Sequence, residues 1–238
     1  MVSTGSNLPP MQMNLIEVEE DAFVKRAADE LEERVSAALS KNGRCMLGLS
    51  GGATPLPVYQ ALATRPLEWS SVSVFLVDER FVAPDHPDSN LRAIKEALLD
   101  PLGIPLDRVL APDTRLPLAE CVSTYDAQLR GLLASGAPDI VTLGMGEDGH
   151  IASLFPPLSR DAFEGPLAIA THTDQFPVAD RITVTLPLLL QVESPLIFLS
   201  GRTKRRTWLK MTKGEPDPIH WPLQSLLTTG RCTVVASW

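Results

Sequence analysis

The stretch that most constrains the fold is residues 139–155, DIVTLGMGEDGHIASLF. It begins with a compact apolar run, residues 140–143, that stops at Gly144, the pattern of a buried strand running into a turn. Glu147, Asp148 and His150 crowd that turn, and Ile151, Leu154 and Phe155 follow at helical spacing. A strand, a glycine turn with titratable groups and a helix is how an open α/β sheet builds a site beyond the carboxyl ends of its strands. His150 is the chemical centre of the stretch, because a neutral imidazole takes up a proton near neutral pH.

The rest of the chain repeats the pattern. Residues 1–13 read as a loose lead-in and 15–18 as a first short strand. Phe23, Ala27, Leu31, Val35 and Leu39 recur every four positions, so 20–39 is an amphipathic helix, ended by Asn42-Gly43. The apolar run 45–49 leads into Ser50-Gly51-Gly52-Ala53-Thr54-Pro55. There the glycines permit close backbone approach, Thr54 is a good N-cap, and Pro55 fits the first position of a helix over 55–63. This loop suits an anion, or it is a tight strand-to-helix turn without a ligand. It is neither a Walker loop nor a GxGxxG fingerprint, so no nucleotide is implied.

A strand over 72–77 delivers Asp78, Glu79 and Arg80. The trio is either a solvated rim or a site in which the guanidinium holds Asp78 ionised. Asp88 or Ser89 caps a helix running to about residue 99, and His86 reads as a surface residue. A short strand at 107–110 precedes a packing helix over 119–133. Further strands follow at 167–171, 181–185, 195–199 and 232–236, with short helical stretches near 187–190 and 223–227. Gly201 opens a helix bearing Arg202, Lys204, Arg205, Arg206 and Lys210. This alternation predicts a single α/β domain over 14–238, a three-layer αβα sandwich with a mainly parallel, Rossmann-like sheet. The Ser50 loop, the Asp78 trio, the His150 turn and the Lys204 helix each follow a strand, which puts them on one edge of that sheet. Loops 81–90 and 171–180 are the expected movers, from their turn composition.

Composition narrows the function classes. A chain of 238 residues with 44% hydrophobic side chains supports one large core. No window is apolar enough for a membrane span, and the N-terminus lacks a basic region followed by an apolar one, so a cytoplasmic protein is expected. Cys45, Cys121 and Cys232 are far apart with no CxxC pair, which argues for buried apolar side chains rather than disulfides or a thiolate metal site. A net charge of −8 disfavours nucleic acid as partner. An anionic ligand would need cations concentrated locally.

LGLSGGATPLPVYQAL, VFLVDERFVAPDHPDSN, DIVTLGMGEDGHIASLFP, RITVTLPLL and SGRTKRRTW, in this order, resemble the 6-phosphogluconolactonases and, more distantly, the glucosamine-6-phosphate deaminases. The resemblance runs from about residue 15 to the C-terminus. It implies the glucosamine-6-phosphate deaminase/ribose-5-phosphate isomerase-like fold. It also implies a carboxylic ester hydrolase that opens 6-phospho-D-glucono-1,5-lactone in the oxidative pentose phosphate pathway, with no metal or organic cofactor. The implied partner is a small phosphosugar lactone, with no nucleic acid or membrane, and the chain a monomer or weak homo-oligomer.

Under that resemblance His150 is the general base on water and Arg80 the donor to the developing oxyanion, a contact typically worth about 2.7–4 kcal/mol of barrier. Asp78 holds the Arg80 guanidinium or contacts sugar hydroxyls. Asp148 orients the His150 ring or caps the following helix, and Asn90 contacts the sugar or pins its loop. Ser50, Gly51, Gly52 and Thr54 would offer backbone and hydroxyl donors to the phosphate, and Arg181 and Lys204 match the basic residues of the family's phosphate site. Arg202, Arg205, Arg206 and Glu147 are solvated, and Ser153 is a helix-surface or packing serine. Two rivals are weighed. An amino-sugar phosphate deaminase or isomerase would carry a carboxylate where residues 153–156 read SLFP, and a Tyr where Arg80 stands. A non-catalytic sugar-phosphate sensor is usually attached to a helix-turn-helix domain, for which the lead-in is too short.

Overall fold

The computed structural model describes residues 9–238, which fold into two sheets. In chain order the elements are β1 (Met13–Glu17), α1 (Glu20–Asn42), β2 (Cys45–Leu49), α2 (Pro55–Leu62), β3 (Val72–Leu76), β4 (Asp78–Arg80), α3 (Asn90–Ile94), α4 (Asp100–Leu102), β5 (Val109–Leu110), α5 (Leu118–Ala134) and β6 (Ile140–Leu143). Then come β7 (Ala168–His172), β8 (Asp180–Val184), α6 (Leu186–Leu189), β9 (Ser194–Ser200), α7 (Arg202–Lys213), α8 (Pro222–Leu227) and β10 (Cys232–Ser237). Met11 and Met13 already pack on the core; residues 1–8 of the expected lead-in lie outside the described residues.

Seven strands form a wholly parallel sheet in the order β1-β10-β9-β6-β2-β3-β5. Its strands are apolar on both faces, and the two-residue period sorts their side chains into two cores. Leu196, Phe198 and Val235 face the core filled by α1 and α2, whereas Ile197, Leu199, Val234 and Ala236 face the one filled by α5, α7 and α8. The three layers follow. From β2 the chain builds outward through β3 to β5, then returns to lay β6 on the other side of β2 and builds outward through β9 to β10. The direction reverses between β2 and β6, so the loops leaving their carboxyl ends part there and open a crevice.

The second sheet, β4-β8-β7, is antiparallel; a mainly parallel sheet was expected, without a separate antiparallel one beside it. The chain leaves the large sheet at Val77, whose N–H donates to Leu49 and whose carbonyl accepts from Val184. It then pairs through Asp78, Glu79 and Arg80, three charged residues without any strand signature.

The helix expected after His150 is absent. Ile151 and Leu154 are buried, as their spacing implied, but by a turn in which Leu154 N–H donates to the Ile151 carbonyl at 2.9 Å. Ala152 has φ 49°, Ser153 N–H is bound to Thr183 Oγ1, and Pro156-Pro157 follow, so the backbone can neither enter nor continue a helix. Thr54 is itself in helical conformation and makes no side-chain cap. Ser89 is the cap of α3, accepting from Arg92 N–H at 3.2 Å. Among the described residues no helix is long and apolar enough to cross a membrane, and the three cysteines are buried and unpaired.

Candidate active site

The crevice between β2 and β6 is a cavity of about 530 Å³, within the range of small-ligand sites. On its β6 side the chain doubles back so that Gly146 N–H donates to the His150 carbonyl at 2.7 Å. The closure leaves no room for a side chain: a β-carbon on Gly146 would lie 2.1 Å from His150 Nδ1 and 2.3 Å from Asp148 Oδ1. Gly149, at φ 94°, rests on the Trp221 ring, where a β-carbon would approach to 2.6 Å. In this tight loop Asp148 Oδ1 meets His150 Nδ1 at 2.5 Å. Burial raises the Asp148 carboxyl, but the hydrogen bond and charge of His150 outweigh it and leave the group below the usual aspartate range. A carboxylate accepting Nδ1–H leaves the lone pair on Nε2, the tautomer a base requires. The aromatic rings of Phe155 and Phe176 lie 4.8 and 5.7 Å from the imidazole.

The cations come from the other elements. Arg80 and Arg181 stand opposite each other on β4 and β8, and different loops draw their side chains apart. Arg80 Nη1 donates to Asp88 O at 2.7 Å and Arg181 Nε to Val178 O at 2.9 Å. Lys204, in the first turn of α7, donates to the Met145 carbonyl. Among the described residues none of the three has a carboxylate partner. Burial, and then the neighbouring Arg80 charge, lower Arg181; burial lowers Lys204 against the opposing charges of Glu147 and Asp148. Such desolvated cations gain from an anion.

The Ser50 loop is anchored from below. Tyr59, fully buried on α2, donates to Ser50 O at 2.9 Å and lies 2.6 Å from Thr142 Oγ1 on β6. Among the described residues Ser50 Oγ itself has no partner, and neither do Arg80 Nε, Asn90 Oδ1 and Asp148 Oδ2. All four are buried, and all four residues line the cavity. Buried polar atoms are normally paired, so this concentration marks where a ligand would complete the pairing.

A family model described as glucosamine-6-phosphate isomerases/6-phosphogluconolactonase matches residues 18–235. The chain belongs to this family. It is similar to a probable 6-phosphogluconolactonase of Dictyostelium discoideum, 33% identical over 227 residues that cover 93% of this chain and 96% of that one. It also resembles the crystal structure of 6-phosphogluconolactonase from Thermotoga maritima, with TM-score 0.85 and 27% identity over 95% of this chain and 100% of that one. A 6-phosphogluconolactonase from Plasmodium vivax aligns at TM-score 0.86 and 26% identity, covering 94% and 90%.

In this family member every candidate catalytic or substrate-binding residue named from the sequence lines this cavity, with several contacts differing from expectation. Asp148 has no helix to cap and is turned to His150. Asp78 does not hold the Arg80 guanidinium: its Oδ2 accepts from Ser153 Oγ at 2.6 Å and its Oδ1 from Asn90 Nδ2 at 3.3 Å. Two nearby neutral donors occupy it, while Arg80 reaches towards Asp88. Ser153 is therefore a buried partner of Asp78 rather than a helix-surface serine. Asn90 does pin its loop, donating also to Asp78 O at 3.0 Å, and its Oδ1 lies unpaired against Gly51. Glu79, 2% exposed, ties α3 to β4 by accepting the N–H groups of Asn90 at 2.6 Å and Leu91 at 2.8 Å. Burial raises its carboxyl against those bonds. Glu147, Arg202, Arg205 and Arg206 are exposed, as expected.

Phe176 was missed, as was the role of Ser153. The available signal for Phe176 was a lone aromatic in the polar run THTDQFPVAD. Ser153 gave none, since its partner Asp78 lies far away in sequence.

Proposed function

We propose that the protein hydrolyses 6-phospho-D-glucono-1,5-lactone to 6-phosphogluconate with His150 as general base. One observation carries this reading: a single cavity holds a hydrogen-bonded His–Asp pair together with three cations that lack a carboxylate partner among the described residues. His150 Nε2 takes a proton from water as the water oxygen attacks the lactone carbonyl carbon. Charge develops on the former carbonyl oxygen, and Arg80 supplies the donor, its buried Nε having no protein partner. The tetrahedral intermediate collapses, the bond from that carbon to the ring oxygen breaks, and the imidazolium returns its proton to the leaving alkoxide. Asp148 stabilises the imidazolium in between. Arg181, Lys204 and the Ser50–Thr54 loop bind the phosphate, while Asp78 and the free Oδ1 of Asn90 accept from sugar hydroxyls.

The deaminase alternative lacks its extra carboxylate: Phe155 occupies the ground beside His150, 4.8 Å from its ring. A coupled assay on freshly generated phosphogluconolactone, run beside glucosamine 6-phosphate, tests the reading. Lactone opening well above the spontaneous rate, without ammonium release, is expected, and His150→Ala should lose most of it. No opening above background would overturn the assignment. Ammonium release would move the chain to the isomerase branch.

A further inference from the structure

Among the described residues lining the cavity, Phe176 is the one large apolar side chain that is exposed, at 40%. It stands in the loop between β7 and β8, closed by Thr173 N–H donating to Ala179 O at 3.1 Å. Neither proton transfer nor anion binding requires a phenyl ring there, and leaving one in water forgoes the gain of burying it. Its neighbours give it a purpose. The ring is edge-on to the His150 imidazole, 5.7 Å away at 81°, and 5.9 Å from Phe155. The Arg181 guanidinium lies over it at 5.6 Å. The same loop holds Arg181 a second time, through Val178 O. One rigid side chain thus touches both the proposed base and a proposed phosphate ligand.

We propose that Phe176 is a positioning residue that sets the distance between His150 and Arg181. It thereby selects lactones whose phosphate lies across the sugar ring from the carbonyl under attack. The proposal rests on the lactonase reading above. An Arg side chain held only through Nε still swings about its remaining torsions, and a cation–π contact restrains the guanidinium plane itself. A phenyl ring adds few torsions of its own, so it works as a spacer, and its outer face offers an apolar wall to the ring carbons of a sugar.

The test compares Phe176→Ala, Phe176→Leu and Phe176→Tyr with the wild type, on 6-phosphogluconolactone and on unphosphorylated glucono-1,5-lactone. Because the position is exposed, all three should fold, which thermal melting checks. For Phe176→Ala, kcat/KM on the phosphorylated lactone should fall about tenfold, between the scales of an exposed and a desolvated cation–π contact, since the ring is exposed and Arg181 buried. The unphosphorylated lactone should be affected far less, so the preference between them collapses. Phe176→Tyr, which keeps the ring face, should restore the preference, and Phe176→Leu, which keeps only the bulk, should not. Equal losses on both lactones, or none, would overturn the proposal.

Calorimetric binding of 6-phosphogluconate reads the same contact without turnover. About tenfold weaker binding to Phe176→Ala is expected, and unchanged binding would overturn the proposal. A wild type that binds 6-phosphogluconate but opens no lactone would instead sink the lactonase reading, with the Phe176–Arg181 contact still decided by the binding comparison.

Discussion

Two glycine-bearing loops leave adjacent strands of the parallel sheet, and they differ in what lies against the reacting groups. The loop after β6 is crowded: Gly146 is pressed on the His150–Asp148 pair and Gly149 on Trp221. The loop after β2 is pinned at Gly51, where an added β-carbon would lie 1.9 Å from Asn90 Oδ1, but it is open at Gly52, where one would meet nothing within 4 Å, and Ser50 Oγ has no partner among the described residues. Proton transfer needs a base and its orienting group held in one geometry, so the surrounding chain leaves them no slack. A phosphate cradle needs accessible donors and room for an anion's oxygens. If the two loops divide the work in this way, substitutions in one should act on kcat and in the other on KM.

The largest effect belongs to the crowded loop. Gly146→Ala puts a methyl group inside the His150–Asp148 pair, so kcat should fall by about 10²–10⁴-fold, the usual contribution of a positioned base. 6-Phosphogluconate affinity should change little. Steady-state kinetics beside calorimetry checks this, and an intact kcat would break the contrast. Asp148→Asn should lower kcat on a similar scale, because an amide no longer fixes the Nδ1–H tautomer.

The same carboxylate leaves a mark on stability. Its pKa is lowered in the folded protein, so its contribution is complete above the ordinary aspartate value and is lost as pH falls through the folded one. The Tm gap between wild type and Asp148→Asn should therefore be steady near neutral pH and close in acid. A gap that widened in acid would contradict the hydrogen-bonded geometry.

The cation side comes next in size. Lys204→Ala should raise KM for the phosphorylated lactone about 10–100-fold, the scale of a hydrogen bond to a charged group, with kcat changed much less. A kcat loss with KM unchanged would place Lys204 at the reacting carbon instead.

The contrast also explains what was legible in the sequence. The parallel sheet was readable because each buried strand is a short apolar run bounded by turn residues, as in residues 45–49, 140–143 and 195–199. The glycines beside the site were readable as well, since they interrupt such runs. What those glycines permit was not: Gly146 and Gly52 look alike in sequence, yet one avoids a collision and the other leaves space. Strands β7 and β8 were readable, but their separate sheet with β4 escaped because Asp78, Glu79 and Arg80 pair through their backbones while their side chains serve other partners. The helix after His150 was inferred from the spacing of Ile151, Leu154 and Phe155. A turn with Ala152 at φ 49° buries the first two of those side chains just as well. Periodicity reports which residues are buried, and short segments have more than one way to bury them.

The smallest expected effect is the most direct test of openness. Gly52 has φ 103°, a conformation costly for any residue with a β-carbon, but no atom stands in the way of that carbon. Gly52→Ala should therefore cost only backbone strain, about 1–2 kcal/mol. In a chain of this length that shifts Tm by about 2–4 °C per kcal/mol. If the loop relaxes to relieve the strain, its donors shift together, and KM for the phosphorylated lactone rises a few-fold while kcat holds. A fall in kcat matching that of Gly146→Ala would mean that the Ser50 loop reaches the reacting carbon, and the division of labour between the two loops would be wrong. No change in either Tm or KM would mean that the loop does not depend on its left-handed turn, leaving Ser50 Oγ and the cations to hold the phosphate without it.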